Sequence, residues 1–398
     1  VKLALKIVAG ALAVAAGLLV ITDDTSTATM RATPPAAPDF PALARDAATH
    51  LADHLRFETD GRVWVERSEG SDLAASSWGA SLAGMAYHRY NQTAPGAPNG
   101  LVAPQIAALA GAYWDQDSES QGYAASLGDR DNPASSRYID DGMWAANLRV
   151  QQYASQLAAG EVPDETALTE AQSMLDVARR NYDPATGLVF WKDQRQEAKK
   201  DPAARNHSLS TVSAAGAIEL ALTINRAAPE GGEYRGNLDF AMTAYDGLRR
   251  SMRDEDNLYL EGVHADGELN RAKYPYVQGM MLNIGGLLAD ATGQPLYLDE
   301  AARTATSALR FYDAEHLVTS DQMFVAIYFD RLYELQLRPT TSEPLRADIR
   351  TAILEHTAYY AALSESPVEV APYGFRSAQL HMAALASLTP SSKRGSRP

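Results

Sequence analysis

The segment Ser136-Arg137-Tyr138-Ile139-Asp140-Asp141-Gly142-Met143-Trp144 places two consecutive carboxylates where a loop meets a helix. Neighbours on a regular helix do not face each other, but a junction relaxes that restriction. Asp140 can sit outside the helix while Asp141 opens its first turn, so both carboxyl groups can converge on one point. The helix N-terminus favours one ionised carboxylate, and a like charge beside it raises the pKa of the other. One anionic nucleophile beside one protonated acid is the division of labour that glycoside hydrolysis requires. An Asp-Asp pair also serves as a helix cap with a surface charge, so its meaning depends on the elements that hold it.

Those elements read as helices. From Pro41 onward, apolar residues recur at helical spacing between Gly/Pro/Asp/Asn-rich loops, with almost no sustained period-2 alternation. The spacing predicts helices over 41–57, 76–91, 101–114, 140–158, 165–181, 206–227, 236–253, 275–292, 296–311, 321–336, 345–362 and 374–387. Starts are marked by Pro41, Asp140, Asn206 and by Ser320 ahead of Asp321. Six helical hairpins can stack as a solenoid or close into an (α/α)6 barrel of inner and outer helices. Long segments rich in Gly, Asp and aromatics precede the helices near 76, 140, 206, 275 and 374, with a shorter one before 321, and mostly shorter connections follow them. In a closed ring every second helix points the same way, so the long segments would gather at one rim. The expectation is an all-α (α/α)6 barrel with its chemistry at one end.

Composition narrows the function. The chain has 398 residues, 46% hydrophobic, enough for one large or two ordinary domains. Its formal charge of −15, with no Lys/Arg-rich run, repels phosphate backbones, so nucleic acid is not expected as a partner. Zero cysteines exclude disulfides, thiolate metal sites and cysteine nucleophiles. No Gly-rich phosphate loop or dinucleotide fingerprint occurs, and no cofactor is expected. Lys2 and Lys6 precede an apolar stretch, Ile7 to Ile21, that turns polar at Thr22-Asp23-Asp24. That pattern reads as an export leader over 1–28, cleaved after Ala28 or retained as a membrane tether through residues 3–21. A stiff Pro/Ala/Thr-rich linker over 29–40, a catalytic domain over 41–388 and a disordered tail over 389–398 complete the expected layout, for a monomer acting outside the cytoplasm.

The segment around Asp140 and Asp141 resembles the signature of glycoside hydrolase family 76, the endo-α-1,6-mannanases and their transglycosylating relatives, in which a tyrosine-containing Asp-Asp motif is followed by a tryptophan. Further blocks occur in family order: Gly187-Leu188-Val189-Phe190-Trp191-Lys192; Asn206-His207-Ser208-Leu209-Ser210 followed by Ala214-Ala215; and Tyr274-Pro275-Tyr276-Val277-Gln278-Gly279, with Leu287, Thr292-Gly293 and Tyr297-Leu298 beyond it. They span roughly Tyr138 to Leu335. The resemblance implies an (α/α)6 barrel and retaining hydrolysis within α-1,6-linked mannan or a mannose-backbone glycolipid. Asp140 inherits the role of nucleophile and Asp141 that of acid/base.

Around the pair, Asp266 of Asp266-Gly267 is read as a sugar-hydroxyl acceptor. Tyr138, Tyr274, Tyr276, Gln278 and Asn206 are read as substrate contacts, and Trp144, Trp191 and Trp78 as platforms for the C–H faces of sugar rings. Departures from the family pattern are Pro275 in place of Thr, Val277 in place of Asn, which removes a polar group from the site wall, and Ala145 where a second aromatic often stands. His50 and His54, at i and i+4, form a metal-like pair without the glutamate of a zinc-protease motif, and Asp321 reads most simply as a helix cap. Two other readings keep the same barrel: a transglycosylase using the same intermediate, and a mannan-binding protein without turnover.

Overall fold

The computed structural model describes residues 38–58, 62–67, 73–93, 96, 98–116, 121–130, 136–200, 208–228, 234, 236–363 and 372–390. The leader, nearly all of the linker, the tail from 391 and Asn206 lie outside the described residues. Six helices form an inner ring: α2 (Ser77–Thr93), α4 (Ile139–Ala158), α7 (Thr211–Ala227), α9 (Pro275–Thr292), α12 (Gln322–Leu337) and α14 (Pro372–Leu388). Each packs on the next, and α14 packs on α2, so the ring closes. Six outer helices brace it: α1 (Phe40–Asp53), α3 (Ala103–Gly111), α5 (Glu165–Arg180), α8 (Gly236–Met252), α10 (Leu296–Phe311) and α13 (Glu343–Leu363). Two short helices, α6 (Gln194–Lys200) and α11 (Ala314–Thr319), lie in connections. The architecture is the expected (α/α)6 barrel.

Sequence chemistry explains the two rings. Inner helices are buried nearly all round, as in α9, where almost every residue from Pro275 to Ala289 is buried. Outer helices such as α5 bury one apolar stripe, Ala167, Leu168, Ala171, Leu175 and Ala178. Small residues set the inner spacing: a Cβ on Gly279 would lie 2.9 Å from the Cα of Tyr328, so α9 and α12 approach backbone to backbone only because Gly279 has none. Starts and stops are local. Asp39, Asp164 and Asp321 each accept from a first-turn backbone N–H of α1, α5 and α12, Pro275 opens α9, and Gly293 closes it at φ 69°.

The helix predictions fail at three ends for one reason. The helix expected to 57 stops at Asp53, and Leu55–Phe57 becomes β1, pairing antiparallel with β2 (Val63–Val65). The one expected to 114 stops at Gly111, with Trp114–Asp115 (β3) paired to Gly122–Tyr123 (β4). The helix expected from 206 begins at Thr211, after Leu209–Ser210 (β7). In each case strand pairing takes the backbone hydrogen bonds: a strand of the loop that follows for β1 and β3, and Val189–Phe190 together with the distant Gly262–Val263 for β7. The largest such structure is a five-stranded antiparallel sheet in the order β5 (Tyr182–Asp183), β6 (Leu188–Phe190), β7, β8 (Gly262–Val263), β9 (Leu269–Asn270). Strands of two or three residues are too short to show a period of two.

Candidate active site

The connections that enter α4, α7 and α9 are laced into one ladder. Ile139 N–H donates to Trp191 O at 2.9 Å, Trp191 N–H to Ser208 O at 3.1 Å, Thr211 N–H to Glu261 O at 2.8 Å and Glu261 N–H to Ala272 O at 2.9 Å. Val189 faces Ser210, and Ser210 faces Gly262. The starts of α4, α7 and α9 are thereby tied through the sheet, which brings Asp140, Trp191 and Glu261 to one mouth of the barrel. Gly262 makes the crossing possible: its φ is 150°, and a Cβ there would lie 2.1 Å from the carbonyl oxygen of Leu209.

Helix α4 begins at Ile139, so Asp140 and Asp141 both occupy its first turn rather than straddling its boundary. Here the backbone N–H groups have no partner within the helix. Both residues are half-buried. Asp140 Oδ2 accepts from the indole N–H of Trp191 at 3.1 Å, while its Oδ1 is buried and has no hydrogen-bond partner among the described residues. Burial raises the Asp140 carboxyl to about 6, even though the N–H groups of Asp141, Trp191 and its own backbone favour the anion. Burial, and then the charge of Asp140, push Asp141 well above the ordinary carboxylate range. The ladder adds a third acid. Glu261 is raised to about 8 by burial and by Asp140, and its Oε2 is likewise buried without a hydrogen-bond partner. The Tyr276 hydroxyl is held well above the usual range by burial and by Glu261, Asp140, Tyr274 and Asp141.

Aromatic rings wall this mouth. Tyr138 and Trp191 lie with centroids 5.0 Å apart, and Lys192 Nζ sits 5.0 Å from the centre of the Tyr138 ring. Tyr276 stacks on Phe324 at 3.9 Å with the planes 7° apart, Tyr274 lies 5.9 Å from Phe324, and Trp78 meets Phe324 edge-on at 6.0 Å. Trp191 (39%) and Tyr274 (38%) present open faces.

Several expected contacts take other roles. Trp144 is 2% exposed and packs beneath Trp78 at 5.6 Å, so it is core and not a platform. Gln278 is fully buried: its Oε1 accepts from Tyr259 N–H at 2.8 Å, and its Nε2 donates to Tyr259 O at 2.9 Å and to Tyr274 O at 3.2 Å. It pins the loop instead of touching a ligand. Asp266 stands exposed in the β8–β9 turn, where it accepts from Glu268 N–H at 3.0 Å. Val277 lies in the core, so its departure from the family pattern removes nothing from the wall. His54 bridges Glu66 (3.1 Å) and His50 (3.3 Å). Two residues of this mouth, Glu261 and Phe324, carry little sign in the sequence. The signal for Glu261 was a solitary acid inside the apolar run Leu258–Val263; Phe324 has none beyond its place in the first turn of α12.

No protein-family model and no curated protein matches the sequence. Solved structures do. A family 76 glycoside hydrolase from a bovine Bacteroides thetaiotaomicron strain superposes with a TM-score of 0.69 at 18% identity, over 88% of this chain and 78% of that one. This chain has the glycoside hydrolase family 76 fold. An inactive variant of an α-1,6-mannanase from Salegentibacter sp. HEL1_6, with two consecutive aspartates replaced by asparagine and α-1,6-mannotriose bound, matches at a TM-score of 0.67 and 17% identity, over 88% of this chain and all of that one. A D-mannose isomerase follows at 0.55 and 12% identity, over 81% of this chain and 87% of that one. The family 76 fold is thus close to that of an isomerase, and function has to be argued from the site.

Proposed function

We propose that this protein is a retaining glycoside hydrolase that cleaves α-1,6-mannosidic bonds within mannan chains. The observation that carries the reading is the Asp140–Asp141 pair at the aromatic mouth, with the Asp140 carboxylate oriented by the indole N–H of Trp191. Asp140, raised only to about 6, is mostly ionised at neutral pH, while burial and the charge of Asp140 favour the protonated form of Asp141. The Asp140 carboxylate attacks the anomeric carbon as Asp141 protonates the departing glycosidic oxygen. Asp141 then takes a proton from water, which displaces Asp140 with a second inversion, so the product keeps the α configuration. Glu261, neutral below about pH 8, brings a carboxyl group that can donate to a sugar hydroxyl. Trp191 and Tyr274 supply stacking faces.

The Salegentibacter variant, inactive with two consecutive aspartates replaced and with a mannotriose bound, supports the same assignment and substrate class. The Lys2/Lys6 leader supports action outside the cytoplasm, on envelope or environmental mannan. The test is to incubate the purified protein with linear α-1,6-mannan and follow oligosaccharide release and product anomer by NMR. Short products, α at early times, are expected. β products would overturn the retaining mechanism, and an inert substrate would overturn the hydrolase reading.

A further inference from the structure

We propose that the barrel carries a second ligand site at its opposite mouth, for a small neutral polyol of one or two sugar units. A cavity of about 380 Å³ opens where the C-terminal halves of α2, α4, α7, α9 and α12 meet, the end of the inner ring remote from Asp140. That volume lies within the usual range for small-molecule pockets, about 300–1,000 Å³.

Its charges are largely spent on one another. Arg331 donates to Glu219 Oε1 at 2.5 Å and to Asp330 at 3.2 Å, and Arg89 donates to Asp330 at 2.5 Å and to Glu334. Asn283 donates a second bond to Glu219 Oε1 at 2.9 Å. What remains is hydrogen-bonding capacity of both signs: Glu219 Oε2 and Gln151 Oε1 as acceptors and Arg331 Nε as donor, all buried and without a hydrogen-bond partner among the described residues. Glu219 is 2% and Arg331 6% exposed, so solvent outside the cavity does not serve them. Buried groups of this kind are costly unless satisfied.

The chemistry of the occupant follows from that balance. The four guanidinium groups of the lining, including those of Arg226 and Arg338, are offset by the carboxylates of Glu219, Asp330 and Glu334 and by the negative ends of five helices, so the cavity gives no net preference to a cation or an anion. A hydroxyl both donates and accepts, and Met85, Val150 and Leu287 in the lining offer apolar surface to C–H groups. This site is independent of the reading of the carboxylate mouth.

The test is saturation-transfer NMR on the full chain with D-mannose, α-1,6-mannobiose and myo-inositol as probes. Saturation of at least one probe should persist in Trp191→Ala, which strips the platform at the carboxylate mouth. The Kd read from titrating that probe should rise about tenfold in Ala227→Trp, which fills the opposite mouth, a change equivalent to about 1.4 kcal/mol. Gln151→Leu, which removes an acceptor without adding bulk, serves if Ala227→Trp fails to fold, and should weaken the same probe. Loss of all saturation in folded Trp191→Ala, or binding unchanged in both cavity variants, would place binding at the carboxylate mouth alone. No saturation by any probe would mean that the cavity holds only water. Each of these results overturns the proposal.

Discussion

Asp140 is divided between two environments, one oxygen bonded to an indole and the other bare, and its behaviour is predictable from that division. Trp191→Phe keeps the ring and removes the donor to the anion. The acid limb of the pH–rate profile should therefore move upward, by about one pH unit or less, and kcat should fall more than KM changes. Asp140→Asn should reduce turnover at least about a thousandfold. It should also stabilise the fold. The unfolded carboxyl ionises near 3.8 and the folded one near 6, so ionisation is penalised in the folded state from about pH 4 and fully so above about pH 6. Removing the carboxylate should add roughly 1–3 kcal/mol at pH 7 and less at pH 4.5, as read from urea unfolding at both values. Asp141→Asn should still form the glycosyl-enzyme from a substrate with an activated leaving group, visible by mass spectrometry, because protonation is then dispensable.

The connections are where the sequence was hardest to read. Helix periodicity, caps and Pro275 located the inner ring to within a residue or two, apart from the α7 start, because a buried helix writes its identity locally. Asp140 and Asp141 were legible for the same reason, lying at a helix start. Glu261 was not: it reaches the site only because β7 and β8, about fifty residues apart, pair across Gly262. Trp144 and Gln278 sit in family-like motifs yet face inward, and a motif does not state which way a side chain points. The crossing is testable. Gly262→Ala drives a Cβ into the Leu209 carbonyl and should separate β7 from β8. Turnover on mannan should drop about tenfold or more for a loss of a few degrees in Tm; an unchanged rate would remove Glu261 from the working site.

Across the whole molecule, two kinds of buried carboxyl pull stability in opposite directions. Asp140, Asp141 and Glu261 hold protons that the unfolded chain has released, so they make stability fall as pH rises from about 4 to 8. The net charge of −15 adds self-repulsion in the same direction. Burial alone would raise Asp330, but Arg89, His381 and Arg331 hold it well below the usual range. Its contribution is present above about pH 4 and is lost as it protonates below that. Calorimetric Tm should therefore peak on the acid side of neutrality, near pH 4–5; a maximum above pH 7 would contradict the raised proton affinities. Ring closure has its own consequence. Because α1 lies directly against α14, the first and last segments of the barrel are spatial neighbours. A short bridge joining them, with a new opening cut in an exposed loop on the far side, should yield a circularly permuted protein that folds to the same enclosure.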